Sequence, residues 1–123
     1  MTGEELVARA ESVAVRAYAP YSSYLVGASV LTADGRVFDG VNVENAAYPL
    51  GVCAEKTAIG AAASAGVRPG EIAGIGITAS PCGGCRQWLH EWRVERVWFR
   101  RANGGIAVYP AADLLPDTWN LPE

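Results

Sequence analysis

Apolar positions along the chain recur at two different spacings, and the switches between them mark out the elements. From Thr2 to Tyr18, Leu6, Ala10, Val13, Ala14 and Ala17 fall at helical intervals. Glu4, Glu5, Arg9, Glu11 and Arg16 lie mostly elsewhere, which predicts an amphipathic helix. Thr2 with Glu5 reads as a capping box, and Pro20 stops the helix. Leu25 to Leu31 and Arg36 to Val43 are strand-like runs joined around Ala33-Asp34-Gly35, an Asp-Gly hairpin signal. The alanine-rich run Cys53 to Ala65, closed by Gly66, predicts a second helix. Ile72 to Thr78 is short and continuously apolar, as suits a central strand covered on both faces. A third helix over Gly83 to Trp92 and a strand over Val94 to Phe99 follow. Asn103-Gly104-Gly105 then turns the chain into Ile106 to Tyr109, before a helical turn at Ala111 to Leu115. The order α-β-β-α-β-α-β-β predicts an α/β fold, a three-layer α-β-α sandwich around a mixed five-stranded sheet.

Composition narrows the picture. The 123 residues suit one domain, residues 1–123, with a single core. Net charge is −3, and no basic cluster is longer than Arg100-Arg101, so a groove for polymeric DNA or RNA is not expected. No charged-then-apolar leader opens the chain, and no apolar run approaches the roughly 20 residues that cross a bilayer. There are three cysteines, an odd number, with two in C-x-x-C spacing. That argues for metal-bound thiols in a reducing cytoplasm rather than for disulfides.

Those cysteines carry the chemistry. Cys53-Ala54-Glu55 and Pro81-Cys82-Gly83-Gly84-Cys85 place three thiolates on two predicted helix starts, where partial positive charge favours the ionised, metal-binding form. Three ligands on a tetrahedral zinc leave a fourth position for water, the mark of a catalytic site. Glu55 is well placed to move the protons of that water. A rival reading makes His90 the fourth ligand of a closed structural site in a zinc-stabilised interaction domain. Asn42 and Glu44, two apart on a strand, point to one face and can hydrogen-bond a sugar hydroxyl.

The motifs together resemble those of the zinc-dependent cytidine deaminases, in the branch with three cysteine ligands. Pro20-Tyr21-Ser22-Ser23-Tyr24-Leu25-Val26-Gly27-Ala28, Val41-Asn42-Val43-Glu44-Asn45-Ala46-Ala47-Tyr48-Pro49 and Leu114-Leu115-Pro116 extend the likeness over roughly residues 18 to 119. The resemblance implies a zinc-dependent hydrolase acting on cytidine and 2′-deoxycytidine in pyrimidine salvage. It implies one Zn2+ per chain on Cys53, Cys82 and Cys85, with Glu55 as the proton carrier. Asn42 and Glu44 would hold the ribose 3′-hydroxyl, and Tyr24 would stand where relatives place a phenylalanine against the pyrimidine. Ala54 and Ser80 would act through their main chains, on the base oxygen and the amino group. The family assembles as a homotetramer, in which Tyr48 and Trp119 are expected to help complete neighbouring sites. Three departures stand out: Lys56 where an arginine usually bonds the thiolates, Trp119 in place of a phenylalanine, and only Ala79 and Ser80 between the third strand and Pro81. Deamination of a modified cytosine nucleoside or of a polynucleotide are alternative activities within the same chemistry. Arg86 and Gln87 read as local structure.

Overall fold

Helix α1 (Gly3–Ala14) begins with the expected capping box: Thr2 Oγ1 accepts from Glu5 N–H and Glu5 Oε1 accepts from Thr2 N–H, both at 3.1 Å. The computed structural model describes residues 1–121; Pro122 and Glu123, the end of the expected domain, lie outside the described residues. The helix ends sooner than its apolar spacing suggests. Tyr18 gives its N–H to Asn42 O and takes Glu44 N–H on its carbonyl, an extended pairing incompatible with a helix.

Strands β1 (Gly27–Thr32) and β2 (Val37–Val41) form the hairpin, with Gly35 in the left-handed conformation its turn requires. Helix α2 (Ala54–Ser64) follows a short 3-10 turn at Tyr48–Leu50. Strand β3 (Ile72–Ile77), helix α3 (Gly83–Glu91), strands β4 (Arg96–Arg100) and β5 (Ile106–Tyr109), and a 3-10 turn at Ala111–Asp113 complete the order. The sheet runs β2-β1-β3-β4-β5; β3 and β4 are parallel and every other neighbouring pair is antiparallel. This is the mixed five-stranded sandwich expected from the sequence.

Alternation along the strands assigns the two faces. Val30, Ile75, Ile77 and Val97 pack with Ile59 of α2 and Leu89 of α3 in the main core, all fully buried. Each such side chain contributes about 1.5–3 kcal/mol on burial. The opposite face carries α1, which lies so close that a Cβ on Gly76 would come within 2.6 Å of the Leu6 backbone. Arg9 donates a two-pronged pair of bonds to Asp39 at 2.8 Å each, and Ser29 Oγ donates to the same carboxylate at 2.7 Å. That network fastens α1 to the edge strand.

Candidate active site

Cys53 and Cys82 are N-caps, in extended conformation, of α2 and α3, and Cys85 lies in the first turn of α3. The chain after β2 and the chain after β3 thus deliver their thiols to one point above the sheet. The three Sγ atoms lie within 4.8 Å of one another, with Cys53 and Cys82 3.9 Å apart. Sulfurs sharing a tetrahedral zinc at Zn–S of about 2.3 Å stand about 3.8 Å apart, so the donor set fits that ion. The electrostatics agree. Burial, then the neighbouring acidic groups, pushes the Cys53 and Cys85 thiols up. Burial also pushes Cys82 up, but the Cys85 N–H and thiol, with further donors at the start of α3, outweigh it and hold Cys82 below an ordinary thiol. Three thiols and a carboxyl crowded together cannot all ionise without a cation among them. A metal-binding site of three cysteines is therefore present.

Glu55 is only 3% exposed and sits in the first turn of α2. Burial raises its carboxyl above the usual range, against the pull of its own backbone N–H, the Cys85 thiol and Lys56. Positions 53 and 55 would not share a helix face, but Cys53 precedes the helix, and both residues border one cavity of about 320 Å³. Asn42, Glu44, Tyr24 and Tyr48 line the same cavity, as do Ala54, Ser80 and Cys82.

Asn42 and Glu44 do not stand free. Asn42 Oδ1 accepts from Val26 N–H and its Nδ2 donates to Tyr24 O, each at 2.8 Å. β1 starts at Gly27 instead of Leu25: the asparagine side chain takes the Val26 N–H, while the Val26 carbonyl still accepts the Asn42 backbone N–H at 3.2 Å. Glu44 Oε1 accepts from the N–H groups of Tyr21 (2.9 Å) and Ser22 (3.1 Å), and Oε2 accepts from the Ser22 hydroxyl. The Ser22 hydroxyl, aided by those N–H groups, holds the Glu44 carboxyl below its ordinary value. Both polar groups are therefore oriented before any ligand arrives.

The remaining positions lie outside the cavity lining. Lys56 extends toward the first turn of α3, its Nζ 3.6 Å from where a Cβ on Gly84 would sit. Trp119 is 67% exposed and does not line this chain's own cavity. Asn120 beside it holds His90 Nε2 at 2.9 Å, so His90 is engaged on α3 and does not belong to the thiol cluster.

Two residues escaped the sequence reading. Thr57 Oγ1 donates to Val41 O at 2.7 Å, tying the first turn of α2 to the last residue of β2; Asn42 and Glu44, expected on the strand, lie just past its end. A Cβ on Gly40 would collide with the Ala58 backbone nitrogen, so only glycine admits this approach. A glycine inside a strand and a threonine inside a helix are both locally unfavourable, and that misfit was the available signal.

The fold and donor set define a metal-dependent enzyme with a three-thiol centre at the ends of two helices. Residues 1–101 match the family profile described as the cytidine and deoxycytidylate deaminase zinc-binding region. The cytidine deaminase of Sporosarcina psychrophila is 37% identical over 126 residues, covering 98% of this chain and 93% of that protein. The crystal structure of cytidine deaminase from Burkholderia pseudomallei superposes with TM-score 0.90 at 44% identity, covering 97% of this chain and 100% of that one. That from Mycobacterium tuberculosis gives 0.84 at 34% identity, with 98% and 99% covered. The chain belongs to the cytidine and deoxycytidylate deaminase family.

Proposed function

We propose that the protein hydrolyses cytidine and 2′-deoxycytidine to the corresponding uridine nucleosides and ammonia, as a pyrimidine-salvage enzyme of the reducing cytoplasm, with residues 1–123 acting as one catalytic domain. The observation that carries this reading is the three-thiol cluster sharing a cavity with a buried glutamate. Cys53, Cys82 and Cys85 would hold one zinc ion, which when bound lowers the pKa of a water to about 7. Glu55 would take one proton from the attacking water and pass it to ring N3. It would then take the second from the hydroxyl now on C4 and give it to the departing amine, as the C4 carbonyl forms and the C4–N bond breaks. Burial, which raises its carboxyl above the usual range, suits a group that must both accept and release protons. Ala54 N–H bonds the base oxygen, the Ser80 carbonyl accepts from the amino group, and Tyr24 packs against the ring. Asn42 and Glu44, held in place by the 21–26 segment, receive the ribose 3′-hydroxyl. Lys56, beside the first turn of α3, offsets the net negative charge of three thiolates on Zn2+.

Charge favours a nucleoside over a nucleotide. The cavity and the hollow beside it, lined by Tyr21, Ser22, Asn45 and Tyr48 as well as Glu44, hold carboxylates and no lysine or arginine among their described lining residues. A phosphate there would meet repulsion with no compensating cation. The rim supports a homotetramer: Tyr48 and Leu50 are more than 70% exposed, and Tyr18, Tyr21 and Tyr24 are exposed around them. So broad an apolar surface calls for a partner, and a second copy would bring its Trp119 to it.

The test is loss of cytidine absorbance with zinc-loaded protein, run against deoxycytidine, free cytosine, CMP and blasticidin S. Turnover of cytidine and deoxycytidine is expected, with CMP left intact. CMP consumed as fast as cytidine would overturn the nucleoside assignment, and no turnover of any compound would overturn the deaminase assignment.

A further inference from the structure

Residues 78–81 connect β3 to the Cys82 cap of α3, and Ala79 and Ser80 form one wall of the cavity. Thr78 is tied to Gly27, giving its N–H to Gly27 O and accepting Gly27 N–H on Oγ1, each at 3.1 Å. Among the described residues, the hydrogen bonds made by residues 79–81 all come from one side chain, Arg86. Its Nε donates to Pro81 O at 2.9 Å and its Nη2 donates to Ser80 Oγ at 3.1 Å. The remaining arm, Nη1, donates to Leu114 O at 3.1 Å, just past the last 3-10 turn. A single planar guanidinium therefore joins the wall, the helix turn that carries Cys85, and the segment leading to Trp119.

The wall needs such a brace. Ser80 borders the catalytic cavity on one side and a second hollow of about 640 Å³ on the other, which Arg86, Tyr109 and Leu114 also line. Pro81 is buried, but Ser80 itself is exposed, with open space behind it and no packing of its own to hold it against a ligand. Three acceptors at differing directions match the rigid fork of arginine and not the single ammonium of lysine.

We propose that Arg86 is a positioning residue, which by bridging Ser80, Pro81 and Leu114 aims the Ser80 carbonyl at the amino group of the substrate. The inference rests on the deaminase reading above and deepens it. Cytidine presents N–H donors at ring position 4, whereas uridine presents a carbonyl oxygen. A correctly aimed Ser80 carbonyl bonds the first and repels the second, so the brace serves discrimination between substrate and product. A slack wall loses that distinction while leaving the metal ligands and the ribose contacts in place.

The experiment uses zinc-loaded, full-length protein and compares Arg86→Gln with wild type in three readouts: zinc content, kcat/KM for cytidine, and the calorimetric Kd for uridine. The expected result is one zinc per chain, kcat/KM for cytidine lower by about tenfold to a hundredfold, and a uridine Kd unchanged or tighter. Parallel losses of cytidine turnover and uridine affinity would mean a merely structural role and would overturn the inference, as would no change in either. If Arg86→Gln does not fold, Arg86→Lys is measured in the same way. Lysine reaches one of the three acceptors, so an intermediate loss with the same uridine Kd supports the proposal and wild-type turnover overturns it. A wild type that leaves cytidine unchanged overturns the deaminase reading and this inference together; a wild type that deaminates cytidine isolates the inference.

Discussion

The floor of the cavity and its rim are built in opposite ways. On the floor, Ala54 and Cys85 are completely buried and Glu55 nearly so, beneath two helix N-termini packed on the central strands. On the rim, Tyr24 is 62% exposed and Tyr48 74% exposed, with Leu25 and Leu50 beside them. The floor meets its needs inside one chain: no buried side-chain polar atom among the described residues lacks a hydrogen-bond partner. The rim spends large aromatic side chains on solvent, which is unfavourable unless another surface covers them. The difference teaches that the thiols and the carboxylate are arranged by the chain's own core, whereas the rim is left uncovered by it; on the proposed reading a second copy would cover that rim.

Breaking the floor should have the largest effect. Cys53→Ala removes the ligand that caps α2, and zinc measured by metal analysis should fall from one per chain toward none, with activity lost. Full zinc occupancy in that variant would remove Cys53 from the centre. Glu55→Gln keeps the shape of the side chain but cannot carry a proton, so kcat should drop by about 10²–10⁴-fold with zinc and fold retained. Turnover near the wild-type rate would place the proton carrier elsewhere.

Moving outward, the effects should shrink and change character. Glu44→Ala removes both the sugar contact and the anchor of the Tyr21–Ser22 segment, costing on the order of 1–3 kcal/mol in kcat/KM for cytidine. The sugar assignment fails if wild-type protein turns over free cytosine as well as cytidine. The smallest effect belongs to Trp119→Ala. KM for cytidine should rise by about two- to tenfold while kcat holds and light scattering still reports a tetramer. A fully active monomer in wild type would erase the contrast between floor and rim, because the rim would then need no partner.

Residues that carry chemistry were legible where their meaning is local. The C-A-E and P-C-G-G-C spacings placed thiols at helix starts, and α2 and α3 begin at Ala54 and Gly83 behind those caps. The capping box at Thr2, the Asp-Gly hairpin and the strand Ile106–Tyr109 were likewise readable, because each depends on neighbouring residues alone. Two of the misjudged boundaries share one cause. Tyr18 leaves the helical pattern and Leu25 leaves the strand because backbone and side-chain groups at positions 42–44 capture the 18–26 segment, a long-range pairing no local spacing reveals.

By itself the sequence determined the order of elements, the mixed sheet, the metal-ligand types and the carboxylate beside them, since periodicity, capping and donor chemistry are written in adjacent residues. Only the tertiary structure decided that the three sulfurs converge, that Glu55 is buried against them, and that Asn42 and Glu44 are already pinned by the 21–26 segment. It also decided that Arg86 braces the wall at Ser80 and that Trp119 lies outside its own chain's cavity. The physical reason is that convergence, burial and hydrogen-bond partnership depend on how α2 and α3 pack on the sheet. That packing is set by contacts such as Gly40 against α2, between residues far apart in the chain.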